Sequence, residues 1–382
     1  MREVAVLGVG MIPFGKFLNR SLRDLGREAC WLAIKDAGVS PKHIEAGYMG
    51  NALGAVLQGH TGVGQTVFAE AGLHGIPILN IENACASGSS AFREAWMAIA
   101  GGHYDLVIAT GVEKTYTEQG GVLDIGEAEP ELRLGLSLPG FFALMANRYM
   151  AEHGATAEQI AKVSVKNHKH SVLNPYSQYR KAVTLEEVMA SPMVADPLTV
   201  LQCCPRADGA AAVILGSADY ARRLTTSPVL VSAAVLMSGM GDNPSDIIHF
   251  RMNEIAAQRA YERAGIGPED IDVVELHDCF TIAELHHYET LGFCSRGEGV
   301  KLLEDGVTQL GGRLPVNVSG GLLSRGHPLG ATGIAQIVEI VWQLRGQAGD
   351  RQVEGARVGL THCMGGIKGQ DAQATTIHII RR

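Results

Sequence analysis

An internal duplication is the feature of this sequence that most restricts its fold. The residues from Ala37 read A-G-V-S-P-K-H-I-E, and those from Ala264 read A-G-I-G-P-E-D-I-D. Each copy closes a predicted helix, Leu22–Asp36 or Asn253–Arg263, with a glycine stop signal. A short turn and an apolar strand follow each copy. The repeat therefore predicts two similar halves built from alternating strands and helices.

Further elements repeat in the same order. The opening strand Val4–Leu7 has a counterpart in Val229–Ser232. More loosely, N-A-C from Asn83 and N-V-S from Asn317 each precede a predicted helix and then a strand. Helices that alternate with strands usually cover mainly parallel sheets on both faces. We therefore expect an α/β fold whose duplicated halves form a five-layered α-β-α-β-α core.

A segment without a counterpart separates the two halves. It carries helical patterns at Ala143–Glu152 and Ala157–Asn167 and a polar run at Asn174–Arg180. We interpret it as an inserted loop domain over the functional site, and a plain helical cap is the alternative. The predicted divisions are 1–115 with 206–225 for the N-terminal half, 116–205 for the loop domain and 226–382 for the C-terminal half.

Composition and charge argue against several classes of partner. The formal net charge is -8 and the basic residues are dispersed, which disfavours nucleic acid or a membrane surface as the main partner. Met1–Gly10 lacks the basic and long apolar regions of a signal peptide. The 7 cysteines, an odd number in 382 residues, do not suggest a disulfide framework. These features predict a cytoplasmic protein with reduced thiols.

Cys85 is the first candidate for chemistry. It lies in N-A-C-A-S-G-S-S, at a predicted strand-to-helix turn. Unpaired N–H groups and the helix dipole at such a turn favour a thiolate. A buried cysteine that acts as a small hydrophobe is the alternative, but the small flanking residues favour a nucleophile.

Three more candidates lie at predicted strand ends or helix starts. His327 lies in G-H-P-L-G-A-T-G, whose Gly326, Gly330 and Gly333 indicate close approach of backbones. His277 follows an apolar run at the carboxyl end of a strand, where α/β sheets place ligands; a capping His-Asp pair is the alternative. Cys363 enters M-G-G, where N–H groups could face an oxyanion, and a structural cysteine is the alternative. A thiolate, a base and a second thiol are the groups needed for carbon–carbon chemistry next to a thioester.

Patterns for other cofactors are weak. The adjacent Cys203 and Cys204 have poor spacing for zinc, and Cys279 lies in no ligand pattern. The G-x-G after the first strand lacks the rest of a dinucleotide fingerprint, and no phosphate-binding G-x-x-x-x-G-K-[ST] occurs. We predict no metal and no tightly bound cofactor.

At these positions the chain resembles the thiolase superfamily. The matching blocks are N-A-C-A-S-G around Cys85, H-D-C-F-T from His277, S-G-G-L-L-S-R-G-H-P-L-G-A-T-G from Ser319 and C-M-G-G from Cys363. The H-D-C-F block, where common thiolases carry N-E-A-F, is similar to that of sterol-carrier-protein-type thiolases and their archaeal and bacterial relatives. We expect no lipid-carrier domain after residue 382.

The resemblance implies a role for each residue. Cys85 takes the acyl group, His327 activates it, and Cys363 is the acid/base for the α-carbon or the departing CoA thiol. His277 and His327 form one oxyanion hole, for the thioester enolate, and the N–H groups of Cys85 and Gly365 form the other, for the tetrahedral intermediates. The resemblance also implies acyl-CoA substrates, coenzyme A as co-substrate and a homodimer. In several bacterial and archaeal members a small zinc-ribbon/OB-fold companion protein binds the thiolase.

The resulting prediction is a 3-oxoacyl-CoA thiolase that acts by ping-pong acyl transfer, most simply in degradative thiolysis. The alternatives are an acetoacetyl-CoA-forming thiolase, a ketoacyl-synthase-like condensing enzyme, which lacks the second cysteine, and a retro-aldolase of the same fold, which typically lacks the nucleophile. A non-catalytic lipid-binding subunit is a further class. The apolar segment Leu123–Met150 predicts either a pocket for a bulky or aromatic acyl chain or the core of the loop domain.

Overall fold

The computed structural model describes residues 1–116, 133–224, 228–239, 246–368 and 371–382. Its strands are β1 (Val4–Met11), β2 (Ala46–Gly50), β3 (Ile78–Ile81), β4 (Leu106–Glu113), β5 (Met193–Ala195), β6 (Leu198–Thr199), β7 (Gly209–Ser217), β8 (Val229–Ser238), β9 (Val273–Glu275), β10 (Val358–Lys368) and β11 (Asp371–Arg381). Its α-helices are α1 (Leu22–Ala37), α2 (Gly54–Gln58), α3 (Val63–Glu70), α4 (Ser87–Ala100), α5 (Leu138–His153), α6 (Ala157–Ser171), α7 (Leu185–Ala190), α8 (Ala218–Ala221), α9 (Arg251–Ala264), α10 (Thr281–Thr290), α11 (Gly299–Glu304), α12 (Gly321–Arg325) and α13 (Leu329–Arg345).

The duplicated helices α1 and α9 end as their sequences predict. The side chains of Ser21 and Asp24 form a capping box at the start of α1, and Gly38 ends this helix with a φ of 66°. Gly265 ends α9 with a φ of 68°. A left-handed conformation of this kind favours glycine because it has no Cβ. The repeated Ala-Gly pair is therefore a helix stop in both halves.

The strands of the two halves join into one sheet. Those of the N-terminal half lie in the order β3-β2-β4-β7-β1 and those of the C-terminal half in the order β8-β11-β10-β9. A short antiparallel pairing, in which Ala5 lies opposite Leu230 and Val6 opposite Val229, connects β1 to β8. Within the described residues this gives a continuous 9-stranded sheet.

The expectation of mainly parallel strands was wrong. β2 pairs in parallel with β3 and β4, and β9 with β10, but β7 is antiparallel to β1 and β4, and β11 is antiparallel to β8 and β10. The sequence leaves only a very short connection between β10 and β11, whereas a parallel pair needs a crossover of about a dozen residues. The sheet is therefore mixed.

Two buried helices separate the strands of the two halves. α13 packs against β4 and β7 on one side and against β9 and β10 on the other, and α4 packs beside it. Their apolar side chains, such as Phe92 and Ile337, are fully buried in one cluster with residues of both halves. α1 and α3 cover the outer face of the N-terminal strands, and α9 covers that of the C-terminal strands. The described residues thus form the five layers that the duplication predicts.

The segment between the halves packs against the C-terminal half. It holds α5, α6, α7 and the small β5–β6 pair. Phe142 of α5 stacks on Phe280 with ring centroids 4.5 Å apart, and Phe141 stacks on Phe250 at 6.2 Å. Helix α5 extends beyond its predicted pattern at both ends, and α6 extends beyond its pattern at the C-terminal end. Within the described residues, every helix is too short or too polar to cross a membrane.

Candidate active site

A strained turn between β3 and α4 carries Cys85. The preceding Ala84 adopts a φ of 47°, a conformation that is uncommon for residues with a side chain. The Asn83 backbone N–H donates to Ser87 Oγ at 2.9 Å, and its side-chain amide donates to Ser90 Oγ at 2.9 Å. These bonds to the first turn of α4 hold the strained backbone in place and fix the position of the Cys85 thiol.

The thiol of Cys85 is protonated in the resting protein. Burial raises its pKa to about 12, although a hydrogen bond from the backbone N–H of Gly366 acts in the opposite direction. The nearby Glu113 carboxylate raises the pKa further. The backbone N–H groups of Cys85 and Gly366 favour the thiolate, in the direction expected for this turn, but desolvation outweighs them. A base must therefore remove the proton.

His327 lies in the loop between α12 and α13, with its side chain held by Thr332. The distance from His327 Nδ1 to Thr332 Oγ1 is 2.8 Å, and the Thr332 hydroxyl donates to the Pro328 carbonyl oxygen at 3.0 Å. Since a carbonyl oxygen only accepts, the Thr332 oxygen accepts from Nδ1–H. Nε2 is then unprotonated, and it is buried without a hydrogen-bond partner among the described residues. Burial also lowers the pKa of His327 well below its ordinary value, so a neutral imidazole presents a free lone pair.

Cys363 and His277 form a second sulfur–imidazole pair. Cys363 lies in β10 and His277 follows β9, which is the parallel neighbour of β10. The Cys363 Sγ lies 3.6 Å from His277 Nδ1 and 3.2 Å from the carbonyl oxygen of Cys85. Burial raises the pKa of the Cys363 thiol and lowers that of His277 to about 3. Both groups are therefore neutral at rest.

Of the neighbouring residues His277 and Asp278, the aspartate caps a helix, as the alternative interpretation of this pair expected. Asp278 is fully buried, and its carboxylate accepts the backbone N–H groups of Leu322 and Leu323 in the first turn of α12 at 2.7 and 3.3 Å. The His277 ring instead faces His327, with ring centroids 5.2 Å apart. Neighbouring residues thus have separate tasks, since Asp278 anchors a helix and His277 lies in the site.

Glycines allow the elements around Cys85 to approach closely. A Cβ on Gly365 would lie 2.0 Å from the carbonyl oxygen of Asn83, so β10 packs directly on the nucleophile turn. A Cβ on Gly330 would lie 2.7 Å from the Val112 carbonyl oxygen, and one on Gly333 would lie 2.5 Å from Ser89. The predicted close backbone approach is confirmed at Gly330 and Gly333, whereas a Cβ on Gly326 would meet the side chains of Ala207 and Gln178 at 3.0 and 3.1 Å.

The structure brings the four predicted side chains together. The ligand-capable atoms of Cys85, His277 and His327 all lie within 4.8 Å of one another, and Cys363 contacts both Cys85 and His277. A sulfur and two imidazole nitrogens could in principle hold zinc. The same groups are those that nucleophilic acyl chemistry requires.

A cavity of about 560 Å³ lies next to this cluster. Residues of the inserted segment and of the C-terminal half line it, including Tyr116, His168, Tyr179, Leu201, Cys204 and Leu323. The thiols of Cys204 and Cys279 both interact electrostatically with Cys85. Cys204 thus marks the junction between the cavity and the nucleophile, which the sequence spacing did not reveal.

The apolar segment Leu123–Met150 does not contribute its aromatic residues to this cavity. Phe141 and Phe142 are buried in the C-terminal core cluster, whereas Leu134 and Leu144 are exposed. Residues 123–132 lie outside the described residues. In the described part, the two phenylalanines form core rather than line this cavity, and that core is shared with the C-terminal half instead of belonging to the loop domain alone.

The sequence also matches models of known families. A model described as the N-terminal domain of thiolase matches residues 4–219, and one described as thiolase C-terminal domain-like matches residues 238–379. The fold, the four motifs and these matches agree. The chain belongs to the thiolase family. It is accordingly an acyltransferase that acts on acyl-CoA, with coenzyme A as its co-substrate.

Individual relatives cover all or nearly all of the chain. It is 46% identical to an acetyl-CoA acetyltransferase of Methanothermobacter thermautotrophicus over 100% of both chains. It is 43% identical to sterol carrier protein 2 of Bos taurus over 95% of this chain and 70% of the relative, and 41% identical to the benzoylsuccinyl-CoA thiolase subunit BbsB of Thauera aromatica over 96% and 95%. A solved structure described as an Ltp2-ChsH2(DUF35) aldolase superposes with a TM-score of 0.85 at 29% identity, covering 98% of this chain and 97% of that one. The resemblance to sterol-carrier-protein-type and archaeal thiolases is confirmed.

Proposed function

We propose that this thiolase cleaves 3-oxoacyl-CoA by ping-pong acyl transfer through Cys85 and that its physiological direction is degradative thiolysis. The observation that carries the mechanism is the pairing of two thiols, the partly exposed Cys85 and the buried Cys363, with two neutral imidazoles at the meeting point of the two halves. A condensing synthase does not need the second thiol. A retro-aldolase of this fold does not need the first.

The first half-reaction transfers the acyl group to Cys85. As the sulfur attacks the 3-oxo carbon, His327 Nε2 takes the thiol proton, and the N–H groups of Cys85 and Gly365 hold the resulting oxyanion. The bond between C2 and C3 then breaks. The enolate oxygen of the departing acyl-CoA accepts from His277 and the now protonated His327, and Cys363 protonates its α-carbon.

The second half-reaction returns the acyl group to coenzyme A. The CoA thiol gives its proton to the Cys363 thiolate as it attacks the thioester carbon, protonated His327 returns its proton to the departing Cys85 sulfur, and the same N–H groups hold the second oxyanion. Because the pKa of Cys85 is raised to about 12, attack and proton transfer must occur together in the first step. The free Nε2 of His327 supplies the base that this coupling requires.

The proposals for the acyl group and for the direction of the reaction rest on different observations. The cavity of about 560 Å³ is large enough for a bulky acyl chain, and the similar BbsB is named for an aromatic acyl-CoA. Similarity to archaeal acetyl-CoA acetyltransferases favours the second candidate, an acetoacetyl-CoA-forming thiolase. Both functions use the same four residues.

A panel of 3-oxoacyl-CoAs separates these two candidates. With CoA and purified protein, we expect release of acetyl-CoA or another acyl-CoA from medium-chain and aromatic 3-oxoacyl-CoAs, measured by chromatography of the products. Turnover confined to acetoacetyl-CoA would favour the second candidate. Retro-aldol products without a Cys85 adduct would contradict both.

We further propose a cytoplasmic homodimer whose inserted segment, residues 116–205, covers the site. The placement of His168 and Tyr179 at the cavity supports this role for the segment. Two similar proteins support the proposal that a small companion protein binds this thiolase. One is the solved structure described as an Ltp2-ChsH2(DUF35) aldolase, and the other is BbsB, which is named as a thiolase subunit. Size-exclusion chromatography with light scattering, alone and after co-purification, measures both associations.

Replacing Thr332 with valine is expected to slow the acylation of Cys85 by about 10²-fold, the scale of a misplaced general base. Valine matches the shape of threonine but accepts no hydrogen bond from Nδ1–H, so the His327 ring loses its fixed tautomer. Rapid-quench measurement of CoA release from an acyl-CoA tests this. Thr332→Ser retains the hydroxyl and serves as the matched control, and equal rates in both variants would show that Thr332 does not orient His327.

A further inference from the structure

Glu113, at the end of β4, is a fully buried carboxylate that has no task in the proposed reaction. Its two oxygens each accept two N–H groups. Three of these belong to the loop after β2, namely the side chain of Asn51 at 2.9 Å and the backbones of Ala52 and Leu53 at 2.9 and 3.1 Å. The fourth is the backbone N–H of Gly330, in the first turn of α13, at 3.0 Å. One side chain therefore ties the loop after β2 to the start of α13.

These four donors require Glu113 to be ionised. A carboxylate only accepts, whereas a protonated carboxyl group would point its O–H at one of the N–H groups. Hydrogen bonds to a charged acceptor are stronger than neutral ones, and the start of a helix favours a negative charge. Burial raises the pKa of Glu113 to about 7, although the N–H groups of Ala52, Leu53 and Gly330 act in the opposite direction. The four contacts are therefore complete only above neutral pH.

Gly330 lies where the element of the base meets the element of the nucleophile. It follows His327 by three residues, as Gly88 follows Cys85. A Cβ on Gly88 would overlap the carbonyl oxygen of Gly330, so the first turns of α4 and α13 pack backbone against backbone. A Cβ on Gly111 would overlap the same oxygen, so this peptide group also lies directly on β4. The position of Gly330 therefore sets that of His327 relative to Cys85.

We propose that Glu113 is a positioning residue for the base, because its hold on the Gly330 N–H fixes His327 relative to the Cys85 thiol. This inference rests on the proposed function, in which His327 activates Cys85, and it adds a residue that acts through the start of α13. The described residues that line the cavity of about 560 Å³ do not include Glu113. Its loss should therefore slow the acylation of Cys85 without weakening the binding of acyl-CoA.

The variant Glu113→Gln tests this role, because glutamine keeps the shape of glutamate but offers one acceptor oxygen in place of two. Whichever way its amide turns, an N–H faces another N–H, and the contact with Gly330 is lost or becomes neutral. We expect single-turnover acylation of Cys85, measured by rapid quench as CoA released from an acyl-CoA, to slow by about 10- to 10²-fold, the scale of a small misplacement. The half-saturating concentration of acyl-CoA should not change.

The charge of Glu113 has an opposite effect that this experiment separates from positioning. The carboxylate raises the pKa of Cys85, so its removal would by itself make the thiol easier to deprotonate. Acylation that is faster than in the wild type, or equal to it, would therefore overturn the proposal.

Glu339→Gln is the matched control, since Glu339 is a fully buried carboxylate of the same helix, paired with Arg351 at 2.9 Å and away from the first turn. Its acylation rate should equal that of the wild type even if its melting temperature falls. An equal loss of acylation in both variants would overturn the proposal. If the circular dichroism of Glu113→Gln shows unfolding, Glu113→Asp, which is too short to reach both partners of the carboxylate, is judged by the same two quantities.

The pH dependence of acylation is a second readout. Protonation of Glu113 disrupts its contacts, so the wild-type rate should fall as the pH drops through about 7, and Glu113→Gln should lack this fall. Over this range Cys85 stays protonated and both imidazoles stay neutral, because burial raises the pKa of the thiol to about 12, lowers that of His277 to about 3 and lowers that of His327 well below its ordinary value. The charged neighbours of Glu113 at this end of β4 and β7, Lys114 and Asp208, pair with each other at 3.5 Å.

Two other buried carboxylates could produce the same fall in rate. Burial raises the pKa of Glu275, which pairs with Arg325 at 3.3 Å, to about 7, and it raises that of Asp278 well above its ordinary value. A fall that persists in Glu113→Gln would belong to one of them and would overturn the assignment of an ionised contact to Glu113. Failure of the wild type itself to become acylated would instead contradict the proposed function.

Discussion

Replacement of Cys85 with alanine is expected to abolish acyl transfer and leave the fold intact. The loss should be on the order of 10⁴–10⁶-fold, as for removal of a nucleophile elsewhere. Burial raises the pKa of the neighbouring thiols of Cys204, Cys279 and Cys363, and the free Nε2 of His327 is placed to serve Cys85. Among the described thiols of the cluster, Cys85 alone is both partly exposed and grouped with His327.

Mass spectrometry of the wild type after incubation with acyl-CoA identifies the acylated residue directly. We expect one acyl adduct, on Cys85, and none on the alanine variant. Cys294→Ala is the matched control, since Cys294 is another partly exposed free cysteine, outside the cluster, and this variant should keep full activity. An adduct on Cys363 alone would exchange the roles of the two cysteines.

The sequence predicted the parts of the fold that depend on local signals. The glycines Gly38 and Gly265 stop the duplicated helices because each needs a positive φ, and such a requirement is visible in the residue type itself. The layers follow from the order of helices and strands. The strand directions could not be predicted in this way, because β1 pairs with β7 and β8, which are far away in the sequence, and no local pattern encodes such partners.

The four motif residues of the site were predictable, but their protonation states were not. The local position of Cys85 favours a thiolate, whereas its pKa depends on how completely the layers bury it. Gly366, Cys204 and the Thr332 contact were missed for a related reason. Each of these residues acts on a group that it meets only in the folded chain. Thr332, two residues after Gly330 in the motif of His327, was nevertheless a signal visible in the sequence.

Replacement of Cys363 with serine is expected to separate the two chemical steps. A hydroxyl is a much weaker acid than a thiol, so serine cannot replace Cys363 in exchanging a proton with the α-carbon. Cleavage of a 3-oxoacyl-CoA should therefore slow by about 10²–10⁴-fold, the usual scale for a positioned acid/base. Acylation of Cys85 by a simple acyl-CoA does not involve the α-carbon and should remain measurable in a single turnover.

Stopped-flow measurement of carbon–carbon cleavage and rapid-quench measurement of the acyl-enzyme follow these two steps in one preparation. Cys30→Ser is the matched control, because Cys30 is a fully buried thiol that hydrogen-bonds to Thr110, at 3.4 Å, outside the site. Both rates should stay near those of the wild type in this control. Cleavage at the wild-type rate in Cys363→Ser would make the second cysteine structural. In that case the distinction from a condensing synthase would lose its chemical basis.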